Sequence, residues 1–284
     1  MLLKNITYQS AKIFYRITGT GKPVVLLHGF GEDGEIWDNQ INFLKDHCTL
    51  IIPDLPGSGK SELIADMSIE GMAEVIKEIM TIELQQFSMQ AVVIGHSMGG
   101  YITLALAEKY PQLLQSLGLF HSSAFADSEE KKAARLKSIG FIQNNGAYEF
   151  LKTSLPGLFL RGQEDRGLDG SKPSDPYPPD PYSADITALV EKGRSFTPEA
   201  LIHYYQAMIA RPDRTAVLKN FSHPILFIIG EHDKAIPFEQ SMQQCYLPAQ
   251  SHIHILRNSA HMGMLEETDK ANKALLQFLQ GQHT

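Results

Sequence analysis

Cysteine and tryptophan are the scarcest residues of this chain, two and one respectively among 284. The two thiols, Cys48 and Cys245, are too few for a disulfide framework and lack metal-ligand spacing, which argues against a stapled secreted scaffold and a cysteine-based zinc site. Long hydrophobic runs are absent as well, and none approaches the length needed to cross a bilayer. Positive charge is in deficit, with 25 Lys and Arg against 32 Asp and Glu and a net charge of -7. No basic run is long enough to track a phosphate backbone, so neither nucleic acid nor membrane is an expected partner. The opening stretch, "MLLKNITYQSAKIFYRITG", interrupts its apolar residues with Lys4, Asn5, Gln9, Ser10 and Lys12. No signal-peptide core forms there, and cytoplasmic residence is the expectation. What remains is a composition of 43% hydrophobic and 20% charged residues, that of a packed globular body with a sizeable core. The length allows one large α/β domain or two ordinary ones.

Short apolar, β-rich runs recur along the chain: "PVVLLHG" from 23, "CTLIIPD" from 48, "AVVIGHS" from 91, "LGLFHSS" from 117, "PILFIIGEHD" from 224 and "SHIHIL" from 251. Continuous apolar strands separated by helical patterns predict an α/β fold with a mostly parallel, doubly wound sheet covered on both faces. Ahead of them, "ITYQSAKIFYRITGTGKP" alternates as an antiparallel hairpin leading into that sheet. The rhythm breaks after residue 123. A helix-prone stretch, a Pro- and Asp-rich stretch ("LDGSKPSDPYPPDPYSAD", within a loop at 168 to 184) and the helical pattern "TPEALIHYYQAMIARPD" follow. This reads as a mainly helical insertion, 124–217, in a core made of 1–123 and 218–284. The competing reading is a disordered linker between two domains, against which Tyr177 and Tyr182 and the flanking apolar residues suggest packing.

Gly57-Ser58-Gly59-Lys60-Ser61 looks like the tail of a nucleotide-binding P-loop. The glycine that such a loop needs five residues before Gly59 is Asp54, whose carboxylate would repel a polyphosphate. The following helix is capped only at Ser68, with Glu70 and Glu74 near its start, so no helix N-terminus lies beside Lys60. A glycine-assisted turn leaving a strand is the better reading.

Gly95-His96-Ser97-Met98-Gly99 is a Gly-x-Ser-x-Gly sequence between a β-branched run and the helical pattern "YITLALAEKYP". In that setting it reads as a nucleophile elbow, a sharp strand-to-helix turn that exposes the serine hydroxyl above the sheet. Its glycines are required because side chains there would meet the neighbouring strand and helix. With "LLHGFG" before it and "DLPGSGKS", an Asp-x-Pro-Gly-x-Gly-x-Ser turn, between the two, the chain resembles the α/β-hydrolase family. The likeness runs through almost the whole chain in the family's order, and the insertion takes the position of the family's cap. It is weakest in that cap.

A serine hydroxyl needs a base to attack near neutral pH. Among eleven histidines, His28 and His96 belong to turn motifs, His121 ends a strand, and His252 and His254 alternate on one strand. His261, in "LRNSAHMGMLEE", lies where the family places its base. The carboxylate that orients a base is assigned by the resemblance to Asp233, through Gly230, Asp233 and Pro237 of a Gly-x-x-Asp-x-x-x-Pro pattern. Glu231 and Asp127 are its rivals. The order Ser97, Asp233, His261 is that of this fold. An oxyanion needs fixed donors; the backbone N–H of Met98 is one, and the resemblance implies that of Phe30 as the second.

Serine rather than aspartate at the elbow speaks against dehalogenase and epoxide-hydrolase chemistry. Acyl transfer to water from a carboxylic ester or related acyl substrate is the expectation. Carbon–carbon bond hydrolases, perhydrolases and lactonases share the same triad, and a slowly reacting ligand receptor of this fold is a reading from a different class. Substrate choice would lie in the insertion. Phe159, Tyr204 and Met208 are its candidate contacts, with Tyr177, Tyr182 and Tyr205 behind them, although aromatic and Met residues at helical spacing more often pack cores than line sites. An apolar acyl or alcohol group on a small molecule is then expected, with Arg161 or Arg166 open to a carboxylate. No metal or organic cofactor is implied, since side chains and two backbone amides complete the chemistry, and Asp165, Asp169, Asp175 and Asp180 match no calcium loop. Oligomeric state is not legible.

Overall fold

A computed structural model describes residues 1–86, 90–160 and 181–281. Eight strands, β1 (Leu2–Tyr8), β2 (Ala11–Gly19), β3 (Lys22–Leu27), β4 (Cys48–Pro53), β5 (Ala91–His96), β6 (Leu114–Phe120), β7 (Ile225–Gly230) and β8 (Ser251–Leu256), form one sheet in the order β1-β2-β4-β3-β5-β6-β7-β8. β1 pairs antiparallel with β2, and β2 antiparallel with β4, as the alternating N-terminal hairpin predicts. All other pairs are parallel. Every residue of β4, β5 and β7 is buried. A strand with both alternate sides buried needs a covering layer on each face, which is why these segments read as unbroken apolar runs.

Helices α1 (Asp38–Leu44), α2 (Ile69–Glu83) and α3 (Met98–Lys109) belong to the first half of the chain. The helix expected after Ser68 starts there, with the Ser68 hydroxyl accepting from the Gly71 amide at 3.0 Å; such a bond satisfies one of the orphan donors of a helix start. Between β6 and β7 come α4 (Glu129–Asn145), α5 (Ala147–Ser154), α6 (Ser183–Lys192), α7 (Pro198–Ala210) and α8 (Thr215–Asn220). After β7 follow α9 (Phe238–Cys245), α10 (Gly263–Glu266) and α11 (Thr268–Gly281). α2 and α3 pack together, with α3 against β5 and β6, while α1 and α11 pack together, with α11 against β7 and β8.

The helices between β6 and β7 sit over one end of the sheet, and four contacts say which. Tyr204 of α7 donates to Pro56 O at 2.6 Å, beyond β4. Lys192 of α6 reaches Asp33 at 3.1 Å, beyond β3. Lys131 of α4 donates to Ala235 O at 2.7 Å, beyond β7, and Leu158 O accepts from the His261 amide at 2.9 Å, beyond β8. Each partner lies past the carboxyl end of a parallel strand, the end at which open α/β sheets bind ligands. Helix α8 crosses the expected boundary at 217 and packs on α3 of the core.

Candidate active site

Ser97 lies between β5 and α3 with φ 49° and ψ -115°. A non-glycine residue in that region is strained and persists only where its surroundings over-determine it. They do so here: the Ser97 amide donates to Phe120 O at 3.0 Å, and the Ser122 hydroxyl donates to Ser97 O at 2.7 Å. The neighbouring glycines are demanded by contact. A Cβ on Gly95 would lie 2.2 Å from the backbone of Gly99, and one on Gly99 would lie 2.5 Å from Leu27 O at the end of β3. The result is a serine that stays partly exposed while its neighbours are buried. Met98 opens α3, so its amide is one of the donors that a helix start leaves without an intrahelical acceptor.

His261 and Asp233 meet, 28 positions apart in sequence, through a hydrogen bond of 2.7 Å from Nδ1 to Oδ2. Asp233 is held on its other oxygen by the amides of Ala235 and Ile236, at 2.8 and 2.9 Å. Burial works against its charge, but the neighbouring rings of His261 and His121 outweigh it and hold the carboxyl well below the usual range. Of its two rivals, Glu231 is exposed, and Asp127 is occupied by Arg135 at 2.6 Å and Arg211 at 2.9 Å. His121 is buried behind the pair, with Nδ1 3.0 Å from the Gly230 amide and 3.4 Å from Asp233 Oδ2. Burial pushes its pKa down to about 4, so its ring is neutral at pH 7.

Two acidic residues that the sequence reading passed over hold this arrangement from below. Glu32, almost fully buried, accepts on Oε2 from the Gly29 amide at 2.7 Å and from His96 Nδ1 at 3.0 Å. The other nitrogen of His96 faces the carbonyl oxygen of His261 at 3.0 Å. Both partners of the ring can accept, an arrangement that favours a hydrogen on each ring nitrogen and hence the charged form of His96. Burial penalises each charge, yet their mutual attraction prevails, holding the Glu32 carboxyl low and the His96 ring above its ordinary value. Glu266 clamps the loop itself: Oε2 accepts from Ser259 Oγ and from the amides of Ala260 and Met262 at 2.9 to 3.0 Å, and Oε1 from the Leu160 amide at 2.6 Å. Nothing in its neighbourhood in sequence distinguishes either residue from a surface glutamate.

The P-loop-like segment is folded around a carboxylate. Asp54 accepts from the amides of Lys60 and Gly34, each at 3.1 Å, and a Cβ on Gly59, which sits at φ +54°, would lie 2.4 Å from Asp54 Oδ2. The Lys60 amide that a phosphate would need is already taken. His28 ties this loop to β3 by accepting from the Leu55 amide at 2.9 Å.

Ser97 and His261 line one cavity of about 170 Å³. Met208 is on its wall, together with Phe30 and Tyr205, whose rings stack at 4.4 Å. Tyr204 and Phe159 are fully buried and outside that lining: Tyr204 bonds to Ser58 at 2.7 Å and to Pro56, while Phe159 packs against Tyr182 at 5.7 Å. The sequence reading missed Lys131 and Arg135, which also face the cavity. Arg161, Arg166, Tyr177, the acidic residues at 165, 169, 175 and 180, and most of the 168–184 loop lie outside the described residues. Cys48 and Cys245 are buried, which pushes both thiols up to about 12. Among the described residues no group of three or more His, Cys, Asp or Glu could hold a metal ion, and no helix is long and apolar enough to cross a membrane.

A mostly parallel sheet with a serine at a strained strand-to-helix turn and a His–Asp pair on the following loops defines an α/β protein of hydrolase type. The chain belongs to the alpha/beta hydrolase fold family, whose family model matches residues 22–268. It is 25% identical over 248 residues to the biotin biosynthesis bifunctional protein BioHC of Cellvibrio japonicus, covering 84% of this chain and 44% of the relative. Over 144 residues it is 32% identical to a pimeloyl-[acyl-carrier protein] methyl ester esterase of Yersinia enterocolitica, covering 50% of this chain and 53% of the relative. The chain thus spans about half the length of these curated relatives. Among solved structures, a thermophilic esterase from Thermogutta terrifontis with malate bound superposes with a TM-score of 0.86 at 26% identity, covering 100% of both chains.

Proposed function

We propose that this protein is a serine hydrolase that cleaves a carboxylic ester or related acyl substrate through an acyl-enzyme. The observation that carries the reading is the 2.7 Å contact of His261 Nδ1 with an ionised, doubly anchored Asp233, beside the cavity that His261 shares with Ser97. Two relatives named as esterases support the choice of an ester.

In this mechanism Ser97 Oγ attacks the carbonyl carbon while His261 Nε2 takes its proton. Asp233 keeps the proton of the imidazole on Nδ1, so that Nε2 is free to accept, and balances the charge that the ring acquires. The carbonyl oxygen becomes an anion facing the amides of Met98 and Phe30, each such donor typically worth ~2.7–4 kcal/mol. Collapse of the tetrahedral intermediate expels the alcohol, which leaves with the proton from His261. Water then attacks the Ser97 ester, giving up a proton to His261, and the acid is released as Ser97 recovers its hydrogen.

Helices α4 to α7, within 124–217, act as the cap of a core formed by 1–123 and 218–284, to which α8 is fastened through α3. Phe30, Tyr205, Met208, Leu158 and Ile236 give the cavity an apolar side suited to a short hydrocarbon chain. The test is labelling with a fluorophosphonate at pH 7.5, followed by peptide mass spectrometry. The adduct is expected on Ser97, to vanish in Ser97→Ala and to fall at least a hundredfold in rate in His261→Ala. An unlabelled wild type, or one labelled equally fast without His261, would refute the mechanism.

A further inference from the structure

One side of the cavity is not used by acyl transfer. Lys131 and Arg135 lie four residues apart on α4, one above the other on a single helix face, and both border the space that holds Ser97 and His261. Each is steadied from behind. Lys131 Nζ donates to Ala235 O at 2.7 Å, and Arg135 Nε donates to Asp127 Oδ2 at 2.6 Å, with its guanidinium 5.5 Å from the Tyr205 ring.

Arg135 is not needed to neutralise Asp127. Arg211, whose side chain is 3% exposed, stands 2.9 Å from the other carboxylate oxygen. One carboxylate therefore meets two guanidiniums, and Lys131 adds a third cation beside them. The remaining acids near the cavity are committed elsewhere: Glu32 to His96, and Asp233 to His261 and His121. Among the described residues the terminal nitrogens of Arg135 make no hydrogen bond, although its side chain is only 13% exposed. A planar guanidinium with its Nε already anchored presents those nitrogens in a fixed direction, the geometry that grips a carboxylate. At the largely buried Arg135 an unbalanced positive charge attracts anions more strongly than it would in water.

We infer that Lys131 and Arg135 form a carboxylate-binding subsite beside Ser97, and that the preferred substrates are esters carrying a free carboxylate a few bonds from the scissile carbonyl, such as monoesters of short dicarboxylic acids. This rests on the serine-hydrolase reading for its catalytic part alone. Bound this way, the carboxylate fixes one end of the acyl chain while the apolar residues on the other side of the cavity hold its methylenes.

The deciding experiment compares kcat/KM for monomethyl succinate, glutarate and adipate with that for methyl valerate, a neutral counterpart, by proton release at constant pH. The wild type should favour the best anionic ester by about tenfold or more, the usual weight of a charge-assisted contact. Lys131→Gln and Arg135→Gln should each bring that ratio down at least fivefold. Arg135→Gln also disturbs Asp127 and its hold on α4; Lys131→Gln leaves that pair intact, so it decides if the first variant is unstable. A ratio near one in the wild type, or one unchanged in Lys131→Gln, overturns the subsite. Calorimetry of glutarate with Ser97→Ala separates this failure from that of the hydrolase reading. Binding that Lys131→Gln weakens at least fivefold upholds the subsite even if the wild type turns over no ester, and absence of binding overturns it even if neutral esters are cleaved.

Discussion

At the scale of single residues, the buried Glu32–His96 pair has the largest consequence per atom. His96 faces Glu32 through one ring nitrogen and the main chain of His261 through the other, so the charge state of this ring bears on the position of the proposed base. In Glu32→Gln the ring must either stay charged without a counterion or release a proton and lose one of its two donors. Removing one partner of a buried ion pair costs about 3–5 kcal/mol. A loss of that size is expected in urea unfolding at pH 7, together with slower fluorophosphonate labelling of the folded fraction. A change under 1 kcal/mol would show that the pair is not ionised. Ser97 and Asp233 could be singled out as candidates because a short motif surrounds each: two glycines around Ser97, a Gly and a Pro around Asp233. Glu32 and Glu266 could not, since their partners are backbone amides and a distant ring, and no local pattern records such contacts.

At the scale of elements, the strands could be read because a strand buried on both faces has no polar alternation to conceal it, and the α2 start could be read because Ser68 is a side-chain cap. Helix α7 shows where that legibility ends. Tyr204, Tyr205 and Met208 come from one short stretch, and the helical period alone cannot say which of them meets the core and which the cavity. The structure turns Tyr205 and Met208 to the cavity and uses Tyr204 to fasten α7 to the loop after β4, with its hydroxyl on Pro56 O and Ser58 Oγ. Tyr204→Phe should therefore act on stability rather than on substrate contacts. Two buried polar partners lose a hydrogen bond, and each one left unsatisfied costs about 1–3 kcal/mol. The expected outcome is a lower urea midpoint with KM changed less than twofold. A large KM effect at unchanged stability would place Tyr204 in the binding surface instead.

At the scale of the whole molecule, the buried charges beneath the sheet end set how stability depends on pH, and their signs differ. His121 keeps its pKa near 4 in the folded chain, against an ordinary 6.5. As pH falls below 6.5 the unfolded chain takes up a proton that the native ring refuses, so stability declines until about pH 4 and then levels off with respect to this group. Glu32 and Asp233, both held low, contribute stability that is present above the ordinary carboxylate range and is lost as pH falls through their folded values. They extend the acid loss below that of His121. His96 runs the other way, since its raised pKa gives stability that is full below 6.5 and is lost as pH rises through the folded value. Maximal stability is expected near neutrality, with separable causes on its two sides. His121→Asn, whose side chain tolerates the positive φ of 48° at this position, isolates the first of them. Between pH 6.5 and 4 its unfolding free energy, measured in urea, should fall less steeply than that of the wild type by close to one proton, or about 1.4 kcal/mol per pH unit. Parallel slopes would mean that His121 titrates alike in the folded and unfolded chains, and the acid limb would then belong to the carboxylates alone.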